Sequence, residues 1–227
     1  FTSSTLAAPA MVTNIGNLQF ISNNSITAPV NNGATGVIQI SRQSNTMTGA
    51  LTTVAGSLIK VDAASNGNSG VLTVSNGFTN NGTIELTSVT GYSTTLSVTS
   101  GTLTNAAGGL IHSIVQSGGG RNLNAEINNQ GTITIDQDLT DVKSAAVHHN
   151  TGTITIATGK ILTFDQGDFN FDAILRIALP NTSIRPKSRV KTENTRSASS
   201  RSSFLNTKPC VAYLTVISIL LWLLRSF

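Results

Sequence analysis

The groups in this chain that could do chemistry are few, and they fall in short clusters. Asp168-x-Asn170-x-Asp172 matches the first three ligand positions of a calcium loop of the EF-hand or dockerin type, where the hard cation wants closely spaced oxygens. The match then breaks, because Ala173 stands where the loop needs glycine and Leu179 where it needs an acid. The segment therefore reads as a polar turn closing a repeat, with calcium on Asp168, Asn170 and Asp172 as the alternative. Asp136, Asp138 and Asp141 follow a short apolar stretch. Beside Lys143 or Arg121 they would suit a polysaccharide lyase, in which a cation neutralises a uronate and a basic group takes the proton. Solvated loop acids are the plainer reading. His148 and His149 are adjacent, so on a strand they point to opposite faces, and His112 is more than one repeat away. Gly159-Lys160 runs into Ile161, which excludes a phosphate-binding P-loop. No Ser/His/Asp grouping has sequence support.

These clusters hang on a repeat. Asn80-Asn-Gly82-Thr-Ile-Glu-Leu86, Asn129-Gln-Gly131-Thr-Ile-Thr-Ile135 and Asn150-Thr-Gly152-Thr-Ile-Thr-Ile156 nearly superimpose. Looser copies at Gly56 and Gly108 give anchoring glycines at 56, 82, 108, 131 and 152, so the period is 21–26 residues. A second unit lies between the anchors, in Val71-Leu-Thr-Val-Ser-Asn-Gly77 and Thr95-Leu-Ser-Val-Thr-Ser-Gly101. Alternation of period two puts Ile133 and Ile135 on one face and Thr132 and Thr134 on the other. Each period thus carries at least two short strands, with room for a third. No helical pattern of 10–15 residues intervenes, which argues against βαβ folds. The composition agrees: 32 Thr, 26 Ser, 22 Asn and 20 Gly, with 11% charged and 5% aromatic residues and one cysteine. Helical, disulfide-stapled and charge-rich disordered chains are excluded on those numbers.

Two all-β arrangements remain, an antiparallel sandwich and a right-handed parallel β-helix, or β-solenoid, of 21–26-residue rungs. The second is favoured, because near-identical strands recur at one-rung spacing. Asn80, Asn129 and Asn150 would then stack at one corner and bond amide to amide along the axis. Gly82, Gly108, Gly131 and Gly152 would mark that corner, supplying positive φ. Residues 11–172 would make roughly seven rungs, a rod about 35 Å long at ladder spacing. The Asn-x-Gly-Thr-Ile-x-Ile units alternating with Thr-Leu-x-Val-x-Ser-Gly resemble the passenger repeats of bacterial surface adhesins of the filamentous-haemagglutinin and autotransporter type. The resemblance covers roughly residues 50–165. It implies a secreted, cell-surface rod that displays binding faces; the expected function is non-enzymatic adhesion to surface glycans or host and neighbour-cell proteins, with a polysaccharide lyase as the alternative. Thr132-x-Thr134 and Thr153-x-Thr155 on consecutive rungs also suggest an ice-binding ladder, which Glu85 breaks at a third.

The formal charge of +4 averages two unlike parts. Residues 1–172 hold five Lys/Arg and nine Asp/Glu, whereas residues 173–227 hold nine Lys/Arg and only Glu193. The expected organisation is a repeat domain over 1–172 and a non-solenoid tail over 173–227, poorly packed and not extending the coil. That tail is Ser/Arg-rich and ends in an apolar run, Val211–Leu224, too short for a full hydrocarbon core. Membrane contact is expected only through this tail, and nucleic-acid binding not at all. A frameshift near Asp172 would explain why repeat, charge sign and calcium-like pattern break together. The start at Phe1, with Ala8-Pro-Ala10 lacking the flanks of a signal peptide, suggests a processed or partial chain.

Overall fold

The computed structural model describes residues 1–64, 68–171, 183–186 and 190–192. The described residues contain strands and no helix, and every strand pair is parallel. The coil is a β-solenoid with three faces. Rung 1 is β1 (Thr5–Leu6), β2 (Val12–Asn14) and β3 (Asn17–Phe20), and rung 2 is β4 (Ser25–Ile26), β5 (Val30–Asn32) and β6 (Val37–Ile40). Rung 3 is β7 (Gln43–Met47), β8 (Leu51–Thr53) and β9 (Leu58–Asp62). In rungs 4 to 6 the first two faces run together as one long strand. These are β10 (Gly70–Asn80) with β11 (Thr83–Thr87), β12 (Thr94–Asn105) with β13 (Leu110–Ser113), and β14 (Arg121–Asn129) with β15 (Thr132–Ile135). Rung 7 separates them again as β16 (Leu139–Asp141), β17 (Val147–Asn150) and β18 (Thr153–Ile156).

The ladder continues past rung 7. β19 (Ile161–Phe164) and β20 (Asp168–Phe171) form the first and second faces of rung 8, and β21 (Ser183–Pro186) and β22 (Val190–Thr192) pair in parallel upon them. Beyond Asp172 the two described segments, 183–186 and 190–192, pair with this rung. The apolar run Val211–Leu224 and the rest of the basic tail lie outside the described residues.

Alternation builds the core, as the sequence pattern requires. On the third face Ile38, Ile59, Ile84, Ile111, Ile133 and Ile154 sit in one register column, all inward and buried. Leu72, Leu96 and Leu123 do the same on the first face, and Phe78, Leu103 and Ile127 on the second. These apolar side chains stack in columns, and each rung buries the apolar edge of the one beneath it. Successive third-face strands are offset by 20, 21, 25, 27, 22 and 21 residues. The corners absorb this variation while the third-face strands stay in register, and the long strands carry register shifts at Asn76/Phe78 and Ser97/Thr102. Corner loops at 88–93 and 114–120 join the third face to the first.

Candidate binding face

The corner between the second and third faces carries an amide ladder. Asn80 donates from Nδ2 to Asn105 Oδ1 at 2.8 Å, Asn105 to Asn129 at 2.8 Å, and Asn129 to Asn150 at 2.6 Å. Each amide also reaches a backbone carbonyl nearby, as Asn150 Nδ2 does with Gly152 O at 3.1 Å. A buried corner thus satisfies polar groups that the turn would otherwise orphan. A shorter block joins Asn14 Nδ2 to Asn32 Oδ1 at 2.8 Å. Thr53 holds the register position between the blocks, accepting the Asn81 N–H at 2.8 Å and donating to Thr79 O at 3.1 Å. Asn24 and Asn45 form a separate pair at the start of the first face. Sequence reading found Asn80, Asn129 and Asn150 but missed Asn105, because the Ala-Ala-Gly-Gly that follows it hides the motif.

The glycine column differs from expectation in one member and in its reason. Register places Gly82, Gly109, Gly131 and Gly152 immediately before the third-face strands, so Gly109 and not Gly108 belongs to the column. None of these four has positive φ. Close approach is the cause instead. A Cβ on Gly131 would lie 2.2 Å from Ala106 O and 2.3 Å from Gly109 O, whereas a Cβ on Gly108 would meet nothing within 4 Å.

The acids suggested for a lyase point in different directions. Asp136 Oδ2 pairs with His112 Nε2 at 2.8 Å on the third face. Asp138 Oδ1 accepts the Ile161 N–H at 2.9 Å. Asp141 faces inward between Leu123 and Phe164, fully buried, and burial pushes its carboxyl up to about 7 against the Lys143 and Ala125 N–H groups that favour the anion. Arg121 is also inward and 1% exposed. Its Nη1 donates to Gly118 O and Gly119 O at 2.6 and 2.7 Å, and its Nη2 to Ile114 O at 3.1 Å. Burial lowers its pKa, with the Asp62 charge opposing. Lys143 Nζ is held by Val98 O and Thr99 O, both at 2.8 Å. Each of these groups thus has its own separate partners.

Asp168 and Asn170 lie on the regular strand β20, with Phe169 inward between them. They are outward neighbours of Val147 and His149 in register, on extended backbone. Asp172 lies outside the described residues. A shallow depression of about 330 Å³ is lined by Ala145, Ala146, Val147, Gly167 and Asp168. One rung below Val147, Glu126 accepts from Thr102 Oγ1 at 2.8 Å and from the Val147 N–H at 3.1 Å. Burial alone would raise this carboxyl, but those two donors together with the His148 and His149 charges hold it below its ordinary value. His148 is inward, against Phe164 and Phe169 with ring centroids 4.9 and 5.9 Å away, and His149 is outward. The Thr-x-Thr pairs of β15 and β18 are adjacent, and Leu110 and His112 take the same positions on the rung before them.

The most uniform outer surface is the first face. Its outward residues are Ser44 and Thr46 on β7, Val71, Thr73 and Ser75 on β10, Thr95, Ser97 and Thr99 on β12, and Asn122 and Asn124 on β14. None of these outward residues is charged, and the Lys143 ammonium reaches the β12 end of the face at Val98 O and Thr99 O. Sequence reading missed this face because Asn122-x-Asn124 looks unlike Thr95-x-Ser97 until register aligns them. Comparison of the chain with protein-family models, with curated proteins and with solved structures gives no match, so the solenoid geometry stands on its own.

Proposed function

We propose that this chain is a non-enzymatic segment of a secreted bacterial surface rod, whose Thr/Ser/Asn faces adhere to a partner at the cell surface. The observation that carries this reading is the run of uncharged outward residues on the first face, aligned by parallel pairing of β7, β10, β12 and β14. A polar face of fixed spacing suits repeated weak contacts, which add through multivalency. The carboxylates and cations nearest to hand are already engaged in bracing corners and loops, which favours display over chemistry. The resemblance of the Asn-x-Gly-Thr-Ile units to adhesin passengers points the same way.

The test is retention on surfaces. Beads coated with the native chain should be held by bacterial or epithelial cell layers, and beads coated with heat-denatured chain should wash off. Equal retention of both coatings, or none by either, would overturn the adhesive reading. So would release of unsaturated sugar from polygalacturonate that disappears in Asp136→Ala, since that outcome assigns a lyase.

A further inference from the structure

We infer that the first face, where it meets the stacked corner loops of rungs 4 and 5, binds an uncharged saccharide chain. The inference rests on the adhesive reading and names the ligand class for its face. The floor of the site is formed by Thr73, Thr95, Ser97, Asn122 and Asn124, all partly accessible and all outward. Hydroxyls and primary amides each donate and accept, which is what a polyol demands of its binding surface. A neutral ligand also suits a neutral floor. A uronate or sulfate would lose hydration here with no cation among these outward residues to replace it. The nearest ammonium, that of Lys143, is already bound to two backbone carbonyls.

The loops supply the apolar part. Tyr92, Val89 and Val115 are 45%, 44% and 54% exposed on loops that lead directly into β12 and β14. An exposed phenol ring offers an apolar body with a polar tip, the side chain best suited to sugar C–H faces and hydroxyls together. These loops are fixed in place. Gly119 approaches so closely that a Cβ there would lie 2.3 Å from Tyr92 O, and the Gly120 N–H meets Ser93 Oγ at 3.3 Å. Beneath them the buried Arg121 guanidinium binds three carbonyls of the 114–120 loop. A buried cation spent on pinning a surface loop makes sense if that loop must present a fixed shape, because a preformed site loses less entropy on binding. The three rungs of this floor span about 10 Å at ladder spacing, room for a short oligosaccharide along the axis.

The experiment measures binding of the full chain to immobilised neutral polysaccharides (β-glucan, mannan and galactan) and to acidic ones (polygalacturonate and heparin). At least one neutral polymer should be retained. Tyr92→Ala and Thr95→Glu should each weaken that retention about tenfold, equivalent to ~1.4 kcal/mol, while Glu85→Gln on the third face leaves it unchanged. Melting temperature checks that each variant folds, and Tyr92→Ala keeps the test sharp if Thr95→Glu does not. Retention of acidic polymers alone, of no polymer, or retention indifferent to both variants would overturn the inference. Thermal hysteresis in the absence of saccharide binding would do the same, by assigning the face to ice. If cell-surface retention survives Tyr92→Ala and Thr95→Glu, the saccharide site falls and the adhesive rod stands. If native beads never adhere, the rod reading falls too.

Discussion

Asp141 occupies an inward column in which Leu72, Leu96 and Leu123 precede it and Phe164 follows. A carboxylate in that stack gives up its hydration and recovers little, since Oδ1 takes the Lys143 N–H at 2.8 Å while Oδ2 is buried without a partner. Its pKa is accordingly raised to about 7 from 3.8. The folded form prefers the proton, so this group's contribution is fully present below pH 3.8 and is lost as pH rises through 7. The loss reaches about 4 kcal/mol at most. His148 has the opposite sign: burial, opposed by the nearby Glu126 charge, lowers it from 6.5 to about 4, so its contribution is present above pH 6.5 and lost as pH falls through 4. Replacing Asp141 by Asn removes the first effect and leaves the second. Asp141→Asn should therefore melt several degrees above the unsubstituted chain at pH 8, with the gap shrinking towards pH 4.5. His148 cancels in that difference. A gap independent of pH would show that the carboxylate is not isolated in the stack.

At the scale of the element, the corner between the second and third faces shows what was legible. Strand identity, alternation and the inward Ile133 and Ile135 followed from period-two patterning, because one buried face leaves little choice of register. The amide ladder followed from three aligned asparagines. What escaped was register where the motif degenerates. Ala106-Ala-Gly-Gly109 offers two glycines, and only the stacking of Leu110 on Thr83 and Thr132 decides between them. The physical reason for the glycine was also hidden, since close approach to a carbonyl on the next rung is a tertiary fact. The two glycines can be told apart by substitution. Gly131→Ala should cost about 3 kcal/mol or more, because the carbonyls of Ala106 and Gly109 cannot both retreat without breaking the ladder. Gly108→Ala should fall within about 0.5 kcal/mol of neutral, measured by urea denaturation. Equal costs would mean that Gly108 shares the column after all.

The molecule as a whole is a stack in which each rung touches mainly its two neighbours, so stability sums rung and interface terms along the axis. This is why the function-bearing face was harder to read than the fold. A column of outward residues draws one member from each rung, some 20 to 27 positions apart, and loops of unequal length scramble that spacing in the linear sequence. The buried face tolerates the scrambling, because it needs only any branched aliphatic, whereas an outer surface depends on which side chains become neighbours. The same one-dimensional order sets how the stack opens. The Val12 N–H bonds to Pro29 O at 2.8 Å between rungs 1 and 2, and the Leu110 N–H bonds to Gly82 O at 2.9 Å between rungs 4 and 5. The two bonds are alike locally, but exposing the second requires loss of several interfaces, or rupture across β10, β12 and β14 where two faces share one strand. Fraying from an end costs only one interface. Hydrogen exchange on the full chain should thus be slower at Leu110 than at Val12 by about a hundredfold or more, a difference of ~2.7 kcal/mol in opening free energy. Equal rates at the two amides would mean that the coil opens as a single cooperative block, and the additive picture of its stability would have to be abandoned.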